Sequence, residues 1–453
     1  MEQTMKILFA NPPWWLGKGH AGVRAGSRWP FSAPVRSTPD NFIWGDYLPY
    51  PFFLGYAASY VRAKRPDVQV LFRDSIALRE SYDSFGDYLA EECPDFLVIE
   101  SATPSWQHDK QILEVIKGFR SVPRIILVGP VASSADILHL HCSCNPGGIL
   151  HASIKGEYEK GILKVLDGAM GELDHDLLTV EEMNAAPPPW LDDMHWWRYV
   201  DTNPEGQKFP HLQAWTSRGC WARCAFCVWP ATMTGNDPDG QGKRVVRHYS
   251  ADYMLEYLGE AVNRYPFKSI YFDDDLFNTS DAHVLAMCEV MQKVNRKIDI
   301  PWSCMCRADH TKRETWKAMR DSGCFGVKLG FESGSQRVVN DIIGKQLDLK
   351  EATETVKYLV SLGMSIHGTF TFGHPGETPA EMQETVNYIH KLQSLGMDTY
   401  QTSGVAPIEG TPLDTLLQVG PLKRYPGAVK DENFDPETDG ARKMQAIAER
   451  FGR

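Results

Sequence analysis

Within the segment SRGCWARCAFC, three cysteines, Cys220, Cys224 and Cys227, stand in a CxxxCxxC spacing. Three thiolates in one short loop suit a [4Fe-4S] cluster with one iron lacking a protein ligand, whereas structural zinc usually takes four protein ligands. Zinc and three buried free thiols stay open as alternatives on spacing alone. An open iron is a place for a substrate or cofactor to bind, so the leading expectation is catalysis. The chain has ten cysteines in 453 residues, too few for a disulfide scaffold. Cys142 with Cys144 and Cys304 with Cys306 make two separate CxC pairs, which do not define a second cluster. Cys304 is expected to face the core and Cys306 the mouth of an active site. His108, His141 and His374 show no evident partners and read as surface or loop residues.

The elements around the cysteines follow a repeating pattern. Residues 211–216, 268–273, 300–305, 325–331, 365–373 and 399–407 are apolar strand candidates. The segments between them, such as 251–265, 314–323 and 351–363, have apolar positions at helical spacing. Six strand and helix repeats predict a partial (β/α)6 TIM-like barrel, two repeats short of a full one. The cysteines then follow its first strand. Upstream, the apolar runs 6–11, 68–74, 95–101 and 124–129, with a fifth strand and loop in 151–159, predict a Rossmann-like parallel sheet covered on both faces. Such sheets bind ligands at the C-terminal ends of their strands. Residues 171–210 contain PPP and read as a proline-rich linker. The expected organisation is therefore an α/β chain with an N-terminal domain over 1–170, a linker over 171–210, a barrel over 211–413 and a short charged extension over 414–453.

Composition narrows the function classes. The net charge is −11, with 23% charged and 43% hydrophobic residues. This is an ordinary globular balance, and general nucleic-acid binding is not expected. No run approaches the 18 or so apolar residues of a membrane span, and residues 1–15 lack the features of a secretory signal, so the expected location is cytoplasmic.

At this point the sequence resembles the radical S-adenosylmethionine (SAM) superfamily. The resemblance continues from the cysteines through YFDDDLF, CRAD, LGFESGSQ, TFGHPGET and APIEGTPL, in order over about 211–413. It implies that Cys220, Cys224 and Cys227 hold the cluster and that the fourth iron chelates SAM, whose reductive cleavage gives a 5'-deoxyadenosyl radical. It further implies Phe226 beside the adenine. Asp273, Asp274 and Asp275 end the second strand, where they can meet the SAM ammonium, cap the next helix or support the fold. Arg307 and Glu332 are candidates for SAM contact or for an ion pair with each other. Gly373 and Pro375, with Gly376, form either a SAM-approached loop or a tight turn, and Ala406 completes the implied SAM set.

The first domain resembles the cobalamin-binding domain that precedes the radical domain in one branch of the superfamily, on KILFANPP, VLFRDS, CPDFLVIES, IILVGPVASS and KGEYE. No DxHxxG loop is present to supply a lower cobalt ligand, and Gly129-Pro130 stands where the branch often has two glycines. The implied cobalamin contacts are Trp14, Ser101, Thr103, Gly129, Pro130, Ser133, Gly156 and Glu157, with turn capping the alternative for the serines and threonine. Trp14, Trp15, Trp29, Trp106, Trp196 and Trp197 are read either as cover for a flat cofactor or as interdomain packing.

The resemblance implies a class B methyltransferase. One SAM methylates the corrin, a second supplies the radical, and the methyl passes to an unactivated carbon or phosphorus of a small-molecule substrate, free or presented by a partner. A flavodoxin or ferredoxin-type donor would supply electrons. The alternatives are cyclisation, ring contraction or rearrangement without net methyl transfer, and a non-catalytic iron-sulfur or corrinoid-binding module.

Overall fold

The computed structural model describes residues 4–15, 20–22, 33–34, 47–102, 105–119, 121–133, 135–141, 148–229, 244–296, 298–405 and 411–414. Of the expected sites, Thr103, Ala406, Cys142, Cys144, Trp29 and nearly all of the 414–453 extension lie outside the described residues, as does the side chain of Ser133. The chain divides into two compact units, residues 1–202 with 228–237, and residues 203–227 with 238–453.

The first unit is built on β1 (Met5–Asn11), α1 (Phe52–Lys64), β2 (Val68–Asp74), α2 (Tyr82–Glu92), β3 (Phe96–Glu100), α3 (Trp106–Ile116), β4 (Arg124–Val128), β5 (Leu150–Ile154), α4 (Glu159–Leu166) and β6 (Gly171–Leu173). All six strands are parallel, in the order β2-β1-β3-β4-β5-β6. The reversal of order between β1 and β3 creates the crevice where such sheets bind ligands. The near-continuous apolar runs are explained by cover on both faces. Leu8, Leu97, Ile99, Ile125 and Leu127 pack with Phe85 and Leu89 of α2 and Ile112 and Leu113 of α3. The alternating partners Ile7, Phe9 and Val98 are equally buried, and α1 lies against α4, β1 and β2. Residues 171–210 hold more structure than a proline-rich bridge suggests. Gly171–Leu173 adds a sixth strand, and Val180–Ala185 forms a short helix closed by a Thr179–Glu182 capping box before the prolines begin. Three residues are too few for periodicity to reveal.

The second unit runs β7 (His211–Ala214), α5 (Ala251–Arg264), β8 (Ser269–Phe272), α6 (Asp281–Asn295), β9 (Trp302–Cys306), α7 (Arg313–Asp321), β10 (Cys324–Glu332), α8 (Leu349–Ser361), β11 (Ser365–Phe372), α9 (Pro379–Ser394) and β12 (Thr399–Gly404). Its six parallel strands lie in sequential order, β7 to β12. Side-chain caps start the helices: Ser250 for α5, Ser280 for α6, Asp348 for α8, and a Thr378–Glu381 capping box with Pro379 at the first position of α9. One face of the sheet is apolar. It carries Leu212, Ile270, Phe272, Trp302, Val327 and Leu329, all fully buried.

Among the described residues, no helix is long and apolar enough to cross a membrane.

Trp302 anchors the apolar face: its ring meets Phe272 and Phe277, each with centroids 5.5 Å away, and its indole N–H donates to Ser322 O at 3.1 Å. Trp302→Ala should destabilise the second unit by about 3–5 kcal/mol, because the vacated volume and the orphaned carbonyl cannot both be repaired. Denaturant unfolding followed by far-UV circular dichroism measures the shift.

Candidate active site

The cysteine loop leaves the C-terminal end of β7, and carboxylates from the end of β8 fix its backbone before the first thiol. Asp274 Oδ1 accepts hydrogen bonds from Thr216 N (2.9 Å), Thr216 Oγ1 (2.8 Å) and Ser217 Oγ (2.6 Å). Asp275 Oδ2 accepts from Gly219 N at 2.9 Å, immediately before Cys220. Gly219 has φ 94°, which a side chain would strain. Thr216 Oγ1 also lies 2.8 Å from His283 Nε2, and the His283 ring stacks on His248 at 4.2 Å. Burial pushes the Asp274 carboxyl up to about 7 against its three hydrogen bonds. Burial, then the neighbouring His248, hold His283 down to about 3, so this imidazole is neutral. Asp273 is buried at the same strand end, with its N–H on Ala214 O.

The rest of the loop rests on the segment after β10. Ala225 N donates to Ile343 O (2.8 Å), Leu413 N to Ala225 O (2.9 Å) and Cys227 N to Cys224 O (3.1 Å). Cys224 and Phe226 pack against Val338, Ile342 and Ile343, in and just beyond a π-helical turn at Val338–Ile342. Such turns recur at functional sites.

The charged candidates take partners different from those expected. Glu332 ends β10 with φ 67° and accepts from Lys345 Nζ at 2.7 Å. Arg307 forms a bidentate pair with Asp309 (3.0 and 2.9 Å) and donates to Lys345 O (2.9 Å) and Gln346 O (3.1 Å). The Arg307–Glu332 pair is therefore not formed, because Asp309, two residues along, satisfies the guanidinium locally. The guanidinium also lies 4.8 Å over the Trp221 ring. Trp221 directly follows Cys220, whereas Lys345 belongs to no spacing pattern and only the fold brings it to the site.

The loop after β11 is tied by Glu377 Oε2, which accepts from Gly373 N (2.7 Å) and His374 N (3.1 Å); Gly373 and Gly376 both have positive φ, and Pro375 lies between them. His374 is a correction to the surface reading. It is buried, its Nε2 lies 2.7 Å from Thr371 Oγ1, and its ring is 5.8 Å from Phe226. Burial lowers it to about 3, leaving it neutral. Likewise His141 is buried on Ser153 Oγ (3.0 Å), and His108 Nε2 meets Pro13 O (3.3 Å). Cys306 does not face an active-site mouth. Residues two apart on a strand share a face, and Cys304 and Cys306 are both buried with their sulfurs 3.5 Å apart.

The donor set can be tested for fit to a cluster. Cys220, Cys224 and Cys227 form no disulfide and are partly buried. Burial drives the Cys220 thiol to about 12 and raises that of Cys224, so ionised sulfur there requires cations such as iron close by. Among the described residues no three His, Cys, Asp or Glu side chains surround a single ion. Three thiols on one loop are the donor set that a [4Fe-4S] cluster takes, with one iron left for another ligand.

The first unit's candidates are mostly committed internally. Ser101 Oγ donates to Asp109 Oδ2 at 2.6 Å, and Glu157 Oε2 accepts from Leu178 N at 3.3 Å. A Cβ on Gly129 (φ 90°) would lie 2.6 Å from Ser101 O, and one on Gly156 (φ 67°) would lie 2.1 Å from the His175 ring. Trp14 is buried, with Gly22 N on its carbonyl, and Pro130 opens a short 3-10 turn at Pro130–Ser133. Trp15 Nε1 donates to Glu80 O at 2.8 Å, and Trp197 stacks under Arg198. What the ends of β3, β4 and β5 present is chiefly backbone and short side chains.

Residues 216–389 match the family model for the radical SAM superfamily. That segment belongs to the radical SAM superfamily. The chain is 25% identical over 378 residues to the Uncharacterized methyltransferase PH0819 of Pyrococcus horikoshii, covering 80% of this chain and 77% of that one. It is 29% identical over 212 residues to the Cytidylyl-2-hydroxyethylphosphonate methyltransferase of Streptomyces wedmorensis, covering 44% of this chain and 36% of the relative. Its fold is similar to that of the cobalamin-dependent S-adenosylmethionine radical enzyme OxsB, with TM-score 0.62 and 18% identity, over 88% of this chain. This chain spans 64% of the length of OxsB.

The Asp274 brace gives a signed pH dependence. An acid whose native pKa is raised from 3.8 to about 7 stabilises the fold fully below the lower value and loses that contribution as pH rises through the higher one. The stability difference between wild type and Asp274→Asn, measured by urea unfolding from pH 4 to 8, should therefore move against the wild type as pH rises, by up to about 1.4 kcal/mol per pH unit. A flat difference would show that Asp274 is ionised throughout.

Proposed function

We propose that this radical SAM enzyme is a cobalamin-dependent methyltransferase that places a methyl group on an unactivated carbon or phosphorus of a small molecule. The carrying observation is the Cys220, Cys224 and Cys227 set, without a disulfide, after the end of β7, on a loop whose backbone and hydroxyls Asp274 and Asp275 hold. The names of two relatives as methyltransferases and the OxsB-like fold over most of the chain support the methyl-transfer and corrin parts. When bound, the cluster with SAM supplies a radical initiator and cobalamin a methyl carrier.

In this reading Cys220, Cys224 and Cys227 would hold the cluster and leave room on it for the SAM amino acid moiety. Phe226 with neutral His374 provides an uncharged wall for the adenine, while the loop through Gly373 and Pro375 admits the ligand to the backbone. Glu332, held by Lys345, and Asp273 are the acidic groups for the SAM ammonium or ribose. Asp274, Asp275 and Arg307 position these elements from behind. Residues 1–170 form the Rossmann-like corrin domain, using Trp14, Gly129, Pro130, Ser133, Gly156 and Glu157 with Ser101 and Thr103. Residues 171–210 are the connection, 211–413 the partial barrel and 414–453 an extension. A flavodoxin or ferredoxin-type protein donates electrons, and the setting is cytoplasmic.

A second reading, radical chemistry without net methyl transfer, draws on OxsB, whose description names a cobalamin-dependent radical enzyme and not a methyltransferase. One set of measurements separates these. Protein purified anaerobically with hydroxocobalamin should retain about one corrinoid per chain after desalting and form 5'-deoxyadenosine on reduction. Cys224→Ala should abolish 5'-deoxyadenosine formation while leaving corrinoid retention intact. S-adenosylhomocysteine appearing with a methylated product supports methyl transfer; 5'-deoxyadenosine alone supports the second reading. Failure to retain corrinoid beside an intact cluster sinks both.

A further inference from the structure

A cavity of about 170 Å³ lies at the C-terminal end of β2, the edge strand of the first sheet, between α2 and residues 193–199. Its lining belongs entirely to the first unit, and none of the residues named for the corrin takes part in it. Phe72 and Leu78 give it apolar walls. Asp74, also in the lining, is spent: Oδ1 accepts from Asn11 Nδ2 (2.9 Å), Ile76 N (3.1 Å) and Ala77 N (3.2 Å), and Oδ2 from the Tyr199 hydroxyl (3.0 Å). Four other side chains keep bonding capacity. Arg73 gives Nε and Nη2 to Glu80 (3.2 and 2.5 Å) and lays its guanidinium 3.9 Å from the Tyr88 ring centroid, but its Nη1 meets no acceptor among the described residues. Among the same residues the Tyr88 hydroxyl, the His195 ring nitrogens and the Asp193 carboxylate have no hydrogen-bond or ion-pair partner. Arg73, Tyr88 and His195 are half-buried and Asp193 is exposed, so a molecule in the cavity can reach them.

Polar groups that converge on a concave, partly apolar space without spending themselves on one another mark a small-molecule site. The charges decide which molecule. Arg73 and Asp193 line one cavity and form no ion pair with each other. Glu80 already balances Arg73, so a plain anion gains little there and is repelled by Asp193. A plain cation meets Asp193 but leaves Arg73 Nη1 and the Tyr88 hydroxyl unused. A molecule that carries both charges and no net charge satisfies all of them. Burial, then Arg198 and Arg73, hold His195 below its usual value, so its neutral imidazole offers one N–H and one lone pair. At about 30 Å³ per water, the volume admits about six waters or as many heavy atoms, the size of alanine and far below that of SAM. We propose that this cavity is a second small-molecule site that binds an amino-acid-like zwitterion, its carboxylate on Arg73 Nη1 and the Tyr88 hydroxyl and its ammonium on Asp193. The site is separate from the cysteine loop and does not depend on methyl transfer being the reaction.

Saturation-transfer NMR titration of the full chain, purified anaerobically with its cluster and hydroxocobalamin and saturated with SAM, tests it with L-alanine, β-alanine, propionate and propylamine as separate probes. SAM fills the radical centre, so an amino acid that binds does so elsewhere. At least one of the two zwitterions should bind the wild type at a single site, about tenfold or more tightly than propionate or propylamine. Asp193→Asn should weaken that binding by about tenfold and Tyr88→Phe by about fivefold. Both variants leave the Arg73–Glu80 pair in place; asparagine tolerates the φ of 51° at residue 193, and phenylalanine keeps the ring against Arg73. If one variant does not fold, the other carries the test. No zwitterion bound by the wild type, propionate or propylamine bound as tightly, or unchanged affinity in either folded variant overturns the proposal. If cluster or corrinoid fails to load while Asp193-dependent binding persists, the radical reading has failed and this site has not.

Discussion

The site depends on a buried carboxylate. Asp274 takes three hydrogen bonds through one oxygen from Thr216 and Ser217, and Asp275 takes Gly219 N, so the end of β8 holds the loop leaving β7 by four bonds before Cys220. A loop carrying three thiols for a shared cofactor must be placed before the cofactor arrives; otherwise the ordering entropy falls on the binding step. Backbone and hydroxyl donors at a buried acid supply that order at short range. The cost is a carboxyl that burial pushes up to about 7, with the neutral His283 imidazole behind Thr216.

The second sheet divides its labour by parity. Residues of one parity, from Leu212 through Phe272 and Trp302 to Leu329, bury against helices and give the fold its cohesion. Those of the other parity, from Gln213 through Tyr271 to Lys328 and His367, bury polar groups that neighbours satisfy, His367 through Thr399 and Gln401 among them. Because side chains alternate strictly along a strand, a one-residue slip would exchange the two faces. The register that protects the core therefore also places the polar set.

Most of the architecture was legible because its signals are long-range in composition and local in pattern. The strands at 68–74 and 365–372 stand within a residue of where apolar runs placed them, and the cysteine loop follows the first strand of its unit as expected. Short elements escaped: Gly171–Leu173 has no period to read and joins the sheet by pairing alone. The cysteines were legible because their spacing is itself the chemistry. The partners of Glu332 and His374 were not, since Lys345 and Thr371 meet them only through a left-handed strand end and a glycine turn. Cys306 was misread for a simpler reason. A strand-end position suggested exposure, but parity with Cys304 puts it in the core.

Arg307 shows how a motif residue and a ligand contact can be told apart by counting donors. A guanidinium has five N–H groups. Here Nε and Nη2 meet the two oxygens of Asp309, Nη2 also meets Gln346 O, and Nη1 meets Lys345 O. Four contacts on five donors leave little with which to grip SAM, while both carbonyls belong to the segment that supports Cys224, Ala225 and Glu332. Asn278 adds a reciprocal pair to the Arg307 backbone, at 2.9 and 2.8 Å, from the loop after β8. Arg307 thus joins the ends of β8, β9 and β10 into one frame. Replacing it by lysine, a point charge without the planar fork, would keep the charge and lose the frame. The acid that remains directed by that frame is Glu332, whose carboxylate is already oriented by Lys345 and which pairs with Phe370 in a left-handed conformation just past a bulge in the ladder. That is the geometry of a group positioned to meet a ligand, with its supporting cation built in.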